Sequence, residues 1–116
     1  LLGEIPYRDV PGFLAGLDVA LIPFRRSALT NAVDPVKLYE ALATGLPVVA
    51  RHLPEIERWQ EPAVYAYRQP EEMAAKLAEA LSQDTATIAE GRRNLVLRET
   101  WDARADALLA EVAAEA

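Results

Sequence analysis

Three charged residues at intervals of three are the first candidates for chemistry in this sequence. Asp34, Lys37 and Glu40 follow an apolar run and a polar loop. On a helix they would share one side, where Lys37 can approach an anion and Glu40 can accept hydrogen bonds from sugar hydroxyls. The same spacing also fits a solvated helix face with ion pairs along it. The spacing alone leaves both interpretations open.

Start and stop signals for a helix surround these residues. Asp34 is a candidate N-cap, Pro35 suits the first helical position, and Gly45 supplies a stop after Thr44. The helix would bury its opposite side, which carries Val36, Tyr39 and Leu42. Because the helix directly follows a strand and its loop, its first N–H groups would lie where a phosphate binds.

Strands and helices are predicted to alternate along the rest of the chain. Apolar runs predict strands over residues 19–24, 48–50 and 63–67, and Leu1 and Leu2 are typical of the end of a further strand. Helices are expected over residues 9–17, 70–82, 85–97 and from 100 onward. The inward face of the last helix is predicted to carry Trp101, Ala105, Leu108 and Val112.

This alternation predicts an α/β fold in which helices cover a parallel sheet. Ligands of such open sheets bind at the loops that leave the carboxyl ends of the strands. The loop over residues 25–35 is therefore the predicted ligand edge.

Composition excludes several classes of site. The 116 residues include no cysteine and one histidine, so disulfides, thiolate metal sites and paired imidazoles are excluded. A net charge of -6 argues against nucleic acid or an anionic membrane as the main partner. No apolar window is long enough to span a membrane and no signal peptide is evident, which favours a cytoplasmic setting.

The segment over residues 19–50 closely resembles the signature of the C-terminal, donor-binding domain of GT-B glycosyltransferases of the family-4 type. In that family a strand ending in Pro-Phe and a polar loop precede a helix of the form Pro-x-Lys-x-x-Glu-x-x-Ala-x-Gly-x-Pro-Val-Val. The matching residues are Pro35, Lys37, Glu40, Ala43, Gly45, Pro47, Val48 and Val49. Residues 3–14 and 100–104 are similar to the flanking family segments, so the resemblance covers nearly the whole chain.

The resemblance implies that residues 1–116 form one partial, Rossmann-like domain that binds a nucleotide-diphosphate sugar. It implies transfer of the sugar to an unidentified acceptor with retention of configuration, without a metal and without a cofactor. The acceptor-binding N-terminal domain of the same enzyme would be the partner, and the isolated chain would be inactive. The alternative is a non-catalytic α/β binding or regulatory module, although the acidic cluster of a receiver domain is not evident.

The family pattern also assigns donor contacts. Glu40 matches the second glutamate of the family's Glu-x7-Glu motif, which binds the ribose of the nucleotide. Ala32 stands where the first glutamate would be, so the donor sugar and the catalytic residues stay unassigned. Asn31, Ala32 and Val33 would then face the donor mainly through their backbone N–H groups.

Other residues of the predicted ligand edge have two interpretations each. Arg25 and Arg26 would assist a diphosphate, or are solvated loop side chains. His52 follows the second strand and is either a general base or a surface residue without an evident acidic partner. Trp59 and Trp101 are interpreted as packing residues rather than as platforms for a sugar.

The predicted sheet is incomplete. A doubly wound domain has the strand order 3-2-1-4-5-6, whereas this sequence supplies the last three strands and the end of another. The domain is therefore expected to be truncated at its N-terminus, and the chain begins without an initiator methionine. The strand over residues 19–24 would expose an apolar edge, which we expect to pair with a second copy of the chain or with a further segment.

Overall fold

Three short parallel strands form the centre of the molecule. The computed structural model describes residues 3–116 and places β1 (Ala20–Ile22), β2 (Val48–Arg51) and β3 (Val64–Tyr67) in one sheet of order β1-β2-β3. Both strand pairs are parallel, with Ala20 opposite Val48 and Val48 opposite Val64. The predicted α/β fold with a parallel sheet is confirmed. The strand end predicted at Leu1 and Leu2 lies outside the described residues.

Helices flank this sheet and follow the predicted order. They are α1 (Val10–Ala15), α2 (Val36–Ala43), α3 (Met73–Ser82), α4 (Ala86–Val96) and α5 (Trp101–Glu115). Short 3-10 turns cover Tyr7–Asp9, Thr30–Ala32, Pro70–Glu72 and Leu97–Glu99.

Local start and stop signals account for several helix ends. The Thr85 hydroxyl accepts a hydrogen bond from the N–H of Ile88 at 3.2 Å, and α4 runs on through Gly91. The predicted Thr100 cap is confirmed by the 3.1 Å bond from the N–H of Ala103. Gly45 follows α2 with φ of 84°, a left-handed conformation that suits glycine at the end of a helix.

The core lies between α2 and the strands β2 and β3. Leu38 and Leu42 of α2 pack with Val48 and Val64 of the sheet, and all four are at most 1% exposed. The predicted inward face of α2 is wrong at Val36, which is 59% exposed. Steps of three residues drift around a helix of 3.6 residues per turn, so the buried side centres on Leu38 and Leu42 instead.

A buried arginine ties α4 to the amino end of the sheet. Arg92 is 1% exposed and donates to the carbonyl oxygens of Pro62 at 2.8 Å and Gly45 at 3.0 Å. Its Nη1 also pairs with Asp84 at 2.6 Å. The sequence gives no sign of this role, because a buried arginine is defined by acceptors that lie far apart along the chain.

Two predicted burials are wrong. The predicted inward face of α5 is exposed, with Trp101 at 82%, Leu108 at 62% and Val112 at 60%; Ala105 is exposed as well. The side chain of Leu21 in β1 is 48% exposed. The strand β1 lies at an edge of the described sheet, where it pairs with β2 alone. The apolar edge is thus confirmed among residues 3–116, and its pairing stays a prediction. Within the same residues, no helix is long and apolar enough to cross a membrane.

Candidate donor-binding site

Lys37 and Glu40 line one cleft of about 740 Å³ between α1, β1 and α2. Their three-residue spacing places both side chains on the side of α2 that faces α1. Lys37 is exposed, whereas Glu40 is half-buried. The cleft therefore places a cation and a carboxylate side by side on largely apolar walls.

Glu40 also faces a smaller cavity of about 270 Å³ that it shares with Tyr7, Val10 and Thr44. Tyr7 and Val10 line both spaces. Glu40 and the aromatic side chain of Tyr7 thus line both spaces. Tyr7 is not among the predicted site residues, and its place in the turn directly before α1 is the feature that could have indicated it.

The amino end of α2 has no side-chain cap. Pro35 occupies the N-cap position in an extended conformation, and no side chain accepts a hydrogen bond from the first turn. The N–H of Leu38 donates to the Pro35 carbonyl oxygen at 3.1 Å, whereas the N–H groups of Val36 and Lys37 precede the first intrahelical acceptors. They carry the positive end of the helix dipole and favour an anion. The end of α2 next to Lys37 is accordingly suited to a phosphate.

The prediction that Asp34 caps α2 is wrong. Its two carboxylate oxygens accept from the hydroxyl of Tyr39 at 2.9 and 2.8 Å, and Arg104 Nη2 lies 3.7 Å from Asp34 Oδ2. Asp34 therefore faces α5 and is absent from the lining of the cleft that holds Lys37 and Glu40. The helix begins one residue later than predicted, which turns Asp34 away from the N–H groups it would cap.

Tyr39 is the centre of a polar cluster that joins α2 to α5. Its hydroxyl accepts hydrogen bonds from Arg58 Nη2 and, at 3.0 Å, from Arg104 Nη2. Glu99 pairs with Arg58 at 3.5 Å and with Arg104 at 3.0 Å. Burial, and next the hydrogen bond to Asp34, raise the pKa of the Tyr39 phenol above its usual 10.0. We call these five residues the Tyr39 cluster.

Trp59 packs against this cluster, as its predicted packing role requires. Its ring meets that of Tyr39 edge to face, with centroids 5.6 Å apart and planes at 80°. The guanidinium of Arg58 lies 5.0 Å from the centroid of the Trp59 ring. Trp59 is half-buried, so the packing interpretation holds for this residue and fails for Trp101.

The loop after β1 is closed by its own hydrogen bonds. The N–H groups of Asn31, Ala32 and Val33 donate to the carbonyl oxygens of residues 27, 29 and 30 at 3.0, 3.1 and 3.3 Å. Thr30 further braces the loop by donating from its hydroxyl to the Arg25 carbonyl oxygen at 2.6 Å. Contrary to the expectation from the sequence, these three N–H groups are engaged within the loop rather than free for a ligand.

The two loop arginines are exposed. Neither Arg25 nor Arg26 lines the cleft that Lys37 and Glu40 share. Their assignment to a diphosphate stays a prediction, since the structure holds the loop in a conformation that leaves both side chains in solvent.

His52 has the acidic partner that its sequence neighbourhood did not suggest. Its Nε2 lies 3.0 Å from Glu57 Oε1, and the His52 side chain is only 14% exposed. The His52 N–H donates to the Tyr67 carbonyl oxygen at 2.8 Å, which fixes the residue at the carboxyl end of β2. The turn that follows β2 brings the Glu57 carboxylate next to the His52 ring, so this pair forms only when the chain reverses direction there. Among residues 3–116 no three acidic or histidine side chains are grouped to hold a metal.

The chain is similar in sequence to known proteins. Residues 1–110 match the model of a family described as glycosyl transferase-like. The chain is 34% identical over 104 residues to a Bacillus subtilis (strain 168) protein that carries the provisional name teichuronic acid biosynthesis glycosyltransferase TuaH. That alignment covers 86% of this chain and 26% of the relative, so the chain spans about a quarter of the relative's length. No solved structure matches the chain.

Proposed function

Because the chain belongs to the glycosyl transferase-like family, we propose that it is the donor-binding part of a glycosyltransferase with the GT-B architecture. Glycosyl transfer follows from the family, and the nucleotide-diphosphate sugar as donor is our proposal. The observation that supports it best is the cleft of about 740 Å³ shared by Lys37 and Glu40 beside the uncapped end of α2.

In this proposal the diphosphate of the donor lies at the amino end of α2. The first N–H groups and the Lys37 ammonium meet its negative charge. One helical turn further, at roughly 4.5 Å of rise, Glu40 accepts hydrogen bonds from the two ribose hydroxyls. Tyr7 and Val10 line the cleft next to Glu40 and offer apolar area to the base.

The same groups would assist the reaction. When the bond between the anomeric carbon and the phosphate oxygen breaks, negative charge grows on the leaving nucleoside diphosphate. Fixed N–H dipoles and cations stabilise that charge in place of a metal. We propose retention of configuration from the family resemblance. Ala32 has no group for a donor sugar, so sugar recognition falls to other residues.

The partners of this part follow from the same proposal. The relative is about four times as long as the matched segment, which supports an acceptor-binding domain elsewhere in the full enzyme. We also propose that the exposed edge of β1 at Leu21 pairs with a further strand, from a second copy or from another segment of the enzyme. A cytoplasmic location stays a prediction from the sequence.

Calorimetric titration with UDP, GDP and ADP tests the donor site. We expect at least one nucleotide to bind, with Glu40→Gln weakening it by about tenfold, as for one lost hydrogen bond to a charged group. Lys37→Met should weaken it similarly. Glu90→Gln removes an exposed carboxylate of α4 and serves as the charge-matched control.

Two results would contradict the proposal. If no nucleotide binds, the non-catalytic module is favoured. If Glu40→Gln binds nucleotide as the wild type does, the cleft beside α2 is not the donor site, whatever the activity of the enzyme.

A further inference from the structure

The aromatic side chain most open to solvent lies beside the Tyr39 cluster. Trp101 is 82% exposed at the first position of α5. It lines a cavity of about 280 Å³ together with Asp34, Tyr39, Glu99 and Arg104. Neither Lys37 nor Glu40 contributes to this cavity. Val36 lines both this cavity and the cleft of Lys37 and Glu40, so the two concave surfaces adjoin at the amino end of α2 and differ in their polar residues.

The polar groups of this cavity are fixed in place before any ligand arrives. Arg104 Nη2 donates to Tyr39 and to Glu99, both at 3.0 Å, and lies 3.7 Å from Asp34. All of these contacts use Nη2, so within residues 3–116 the Nε and Nη1 hydrogens of Arg104 meet no recorded acceptor. Glu99 and Asp34 each retain lone pairs, because a carboxylate has about four acceptor positions. The cavity therefore offers donors and acceptors side by side.

The charges of the cluster are balanced. Asp34 and Glu99 contribute two negative charges, and Arg58 and Arg104 contribute two positive ones. Of the two arginines, Arg104 lines the cavity and Arg58 does not, so two carboxylates beside one guanidinium disfavour an anion. Each carboxylate already has an arginine partner, which lowers its attraction for a cation. An apolar peptide would cover the remaining acceptor positions of Asp34 and Glu99 without supplying hydrogen bonds, which is unfavourable. The arrangement selects a neutral ligand rich in hydroxyl groups.

We propose that this cavity is a carbohydrate subsite that binds one neutral pyranose ring. The apolar C–H face of the ring lies on the indole of Trp101. Its hydroxyls donate to Glu99 or Asp34 and accept from the unused Arg104 hydrogens. The volume of about 280 Å³ lies just below the usual range for cavities that hold drug-sized ligands, which suits a single ring. The subsite does not depend on the assignment of the donor cleft.

NMR titration of the chain with neutral methyl pyranosides tests the proposal. The probes are the methyl glycosides of glucose, galactose, mannose and N-acetylglucosamine. We expect at least one to cause saturable shifts in the indole N–H of Trp101 and the Nε–H of Arg104. The half-buried Trp59 gives a second indole signal, which should stay in place.

Matched variants separate stacking from general apolar contact. Trp101→Ala should weaken binding about tenfold, because it removes the stacking face, whereas Trp101→Phe keeps a ring and should retain most of the affinity. Leu108→Ala alters another exposed apolar residue of α5, 62% exposed, and should leave binding unchanged. Glu99→Gln should weaken binding and retain the fold, since it keeps the shape of the side chain.

Because Trp101 is exposed, its replacement removes little buried surface and should leave Tm unchanged, so a loss of binding can be told apart from a loss of folding. The absence of saturable shifts with all four glycosides would overturn the proposal. Wild-type affinity in Trp101→Ala would overturn it equally. Both measurements use neutral glycosides and no nucleotide, so their outcome is distinct from that of the nucleotide titrations with the Lys37 and Glu40 variants.

Discussion

Replacing Arg92 by methionine should destabilise the fold far more than the same replacement of an exposed arginine. The guanidinium is 1% exposed, and it supplies the hydrogen bonds at 2.8 Å to Pro62 and 3.0 Å to Gly45. Methionine fills a similar volume but donates nothing. The buried Gly45 carbonyl oxygen would lose its guanidinium donor, whereas Pro62 and Asp84 can be rehydrated from solvent.

The magnitude follows from these contacts. A buried acceptor left without a partner costs about 1–3 kcal/mol, and the partly exposed carbonyl of Pro62 adds about 1 kcal/mol. Removing the guanidinium also removes the free energy of burying it, which offsets part of the loss. The two losses together are about 2–4 kcal/mol before this offset, and we expect Arg92→Met to lower the free energy of unfolding by about 1–3 kcal/mol, out of the roughly 5–15 kcal/mol of a typical domain.

Urea denaturation followed by circular dichroism measures this change. The midpoint should fall while the slope with denaturant stays constant. Arg98→Met is the control: Arg98 is exposed, so its replacement should change the free energy of unfolding by less than about 0.5 kcal/mol. If Arg92→Met is as stable as the wild type, the hydrogen bonds of the buried guanidinium do no more than offset its desolvation, and the reasoning is refuted.

Three further predictions concern pH and the sheet edge. Hydrogen bonds from the backbone N–H groups of Gln69 and Arg68 lower the pKa of Glu72 below its usual 4.5. The contribution of the Glu72 carboxylate to the stability of the fold is therefore present above pH 4.5 and is lost as the pH falls through the lowered pKa. Glu72→Gln should lack this loss in an acid titration of stability. The raised pKa of Tyr39 has the opposite consequence: its contribution to stability is present below pH 10.0 and is lost as the pH rises through the raised pKa of the folded state. Tyr39→Phe should show a smaller loss of stability at alkaline pH. Leu21→Lys places a charge on the exposed β1 edge and should reduce self-association in light scattering; unchanged association would exclude this edge as a contact between copies.

Much of the fold was predictable from local signals. The order of strands and helices follows from apolar runs and helical periodicity, which act over a few residues. The caps at Thr85 and Thr100 were predictable for the same reason, because each hydroxyl meets an N–H three residues away. Gly45 was a readable stop, since its left-handed conformation is costly for other residues.

The candidate site was predictable only in part. Lys37 and Glu40 do share one cleft, as their spacing on a helix requires. Asp34 has the same spacing and faces another cavity, because Arg104 and Tyr39 hold it there. Arg104 is 65 positions away from Tyr39 along the chain. A contact over that separation leaves no periodic pattern in the sequence.

The α/β order and the helix that carries Lys37 and Glu40 follow from the order of residues along the chain, because propensity, capping and periodicity are local properties. Which groups face each other across elements depends on the packing of the folded chain. It buried Arg92 at the amino edge of the sheet, paired His52 with Glu57, and left Trp101 exposed beside Arg104. These outcomes depend on how separate elements pack. The free energy of that packing comes from excluding water and from pairing buried polar groups, which no single segment of the sequence specifies.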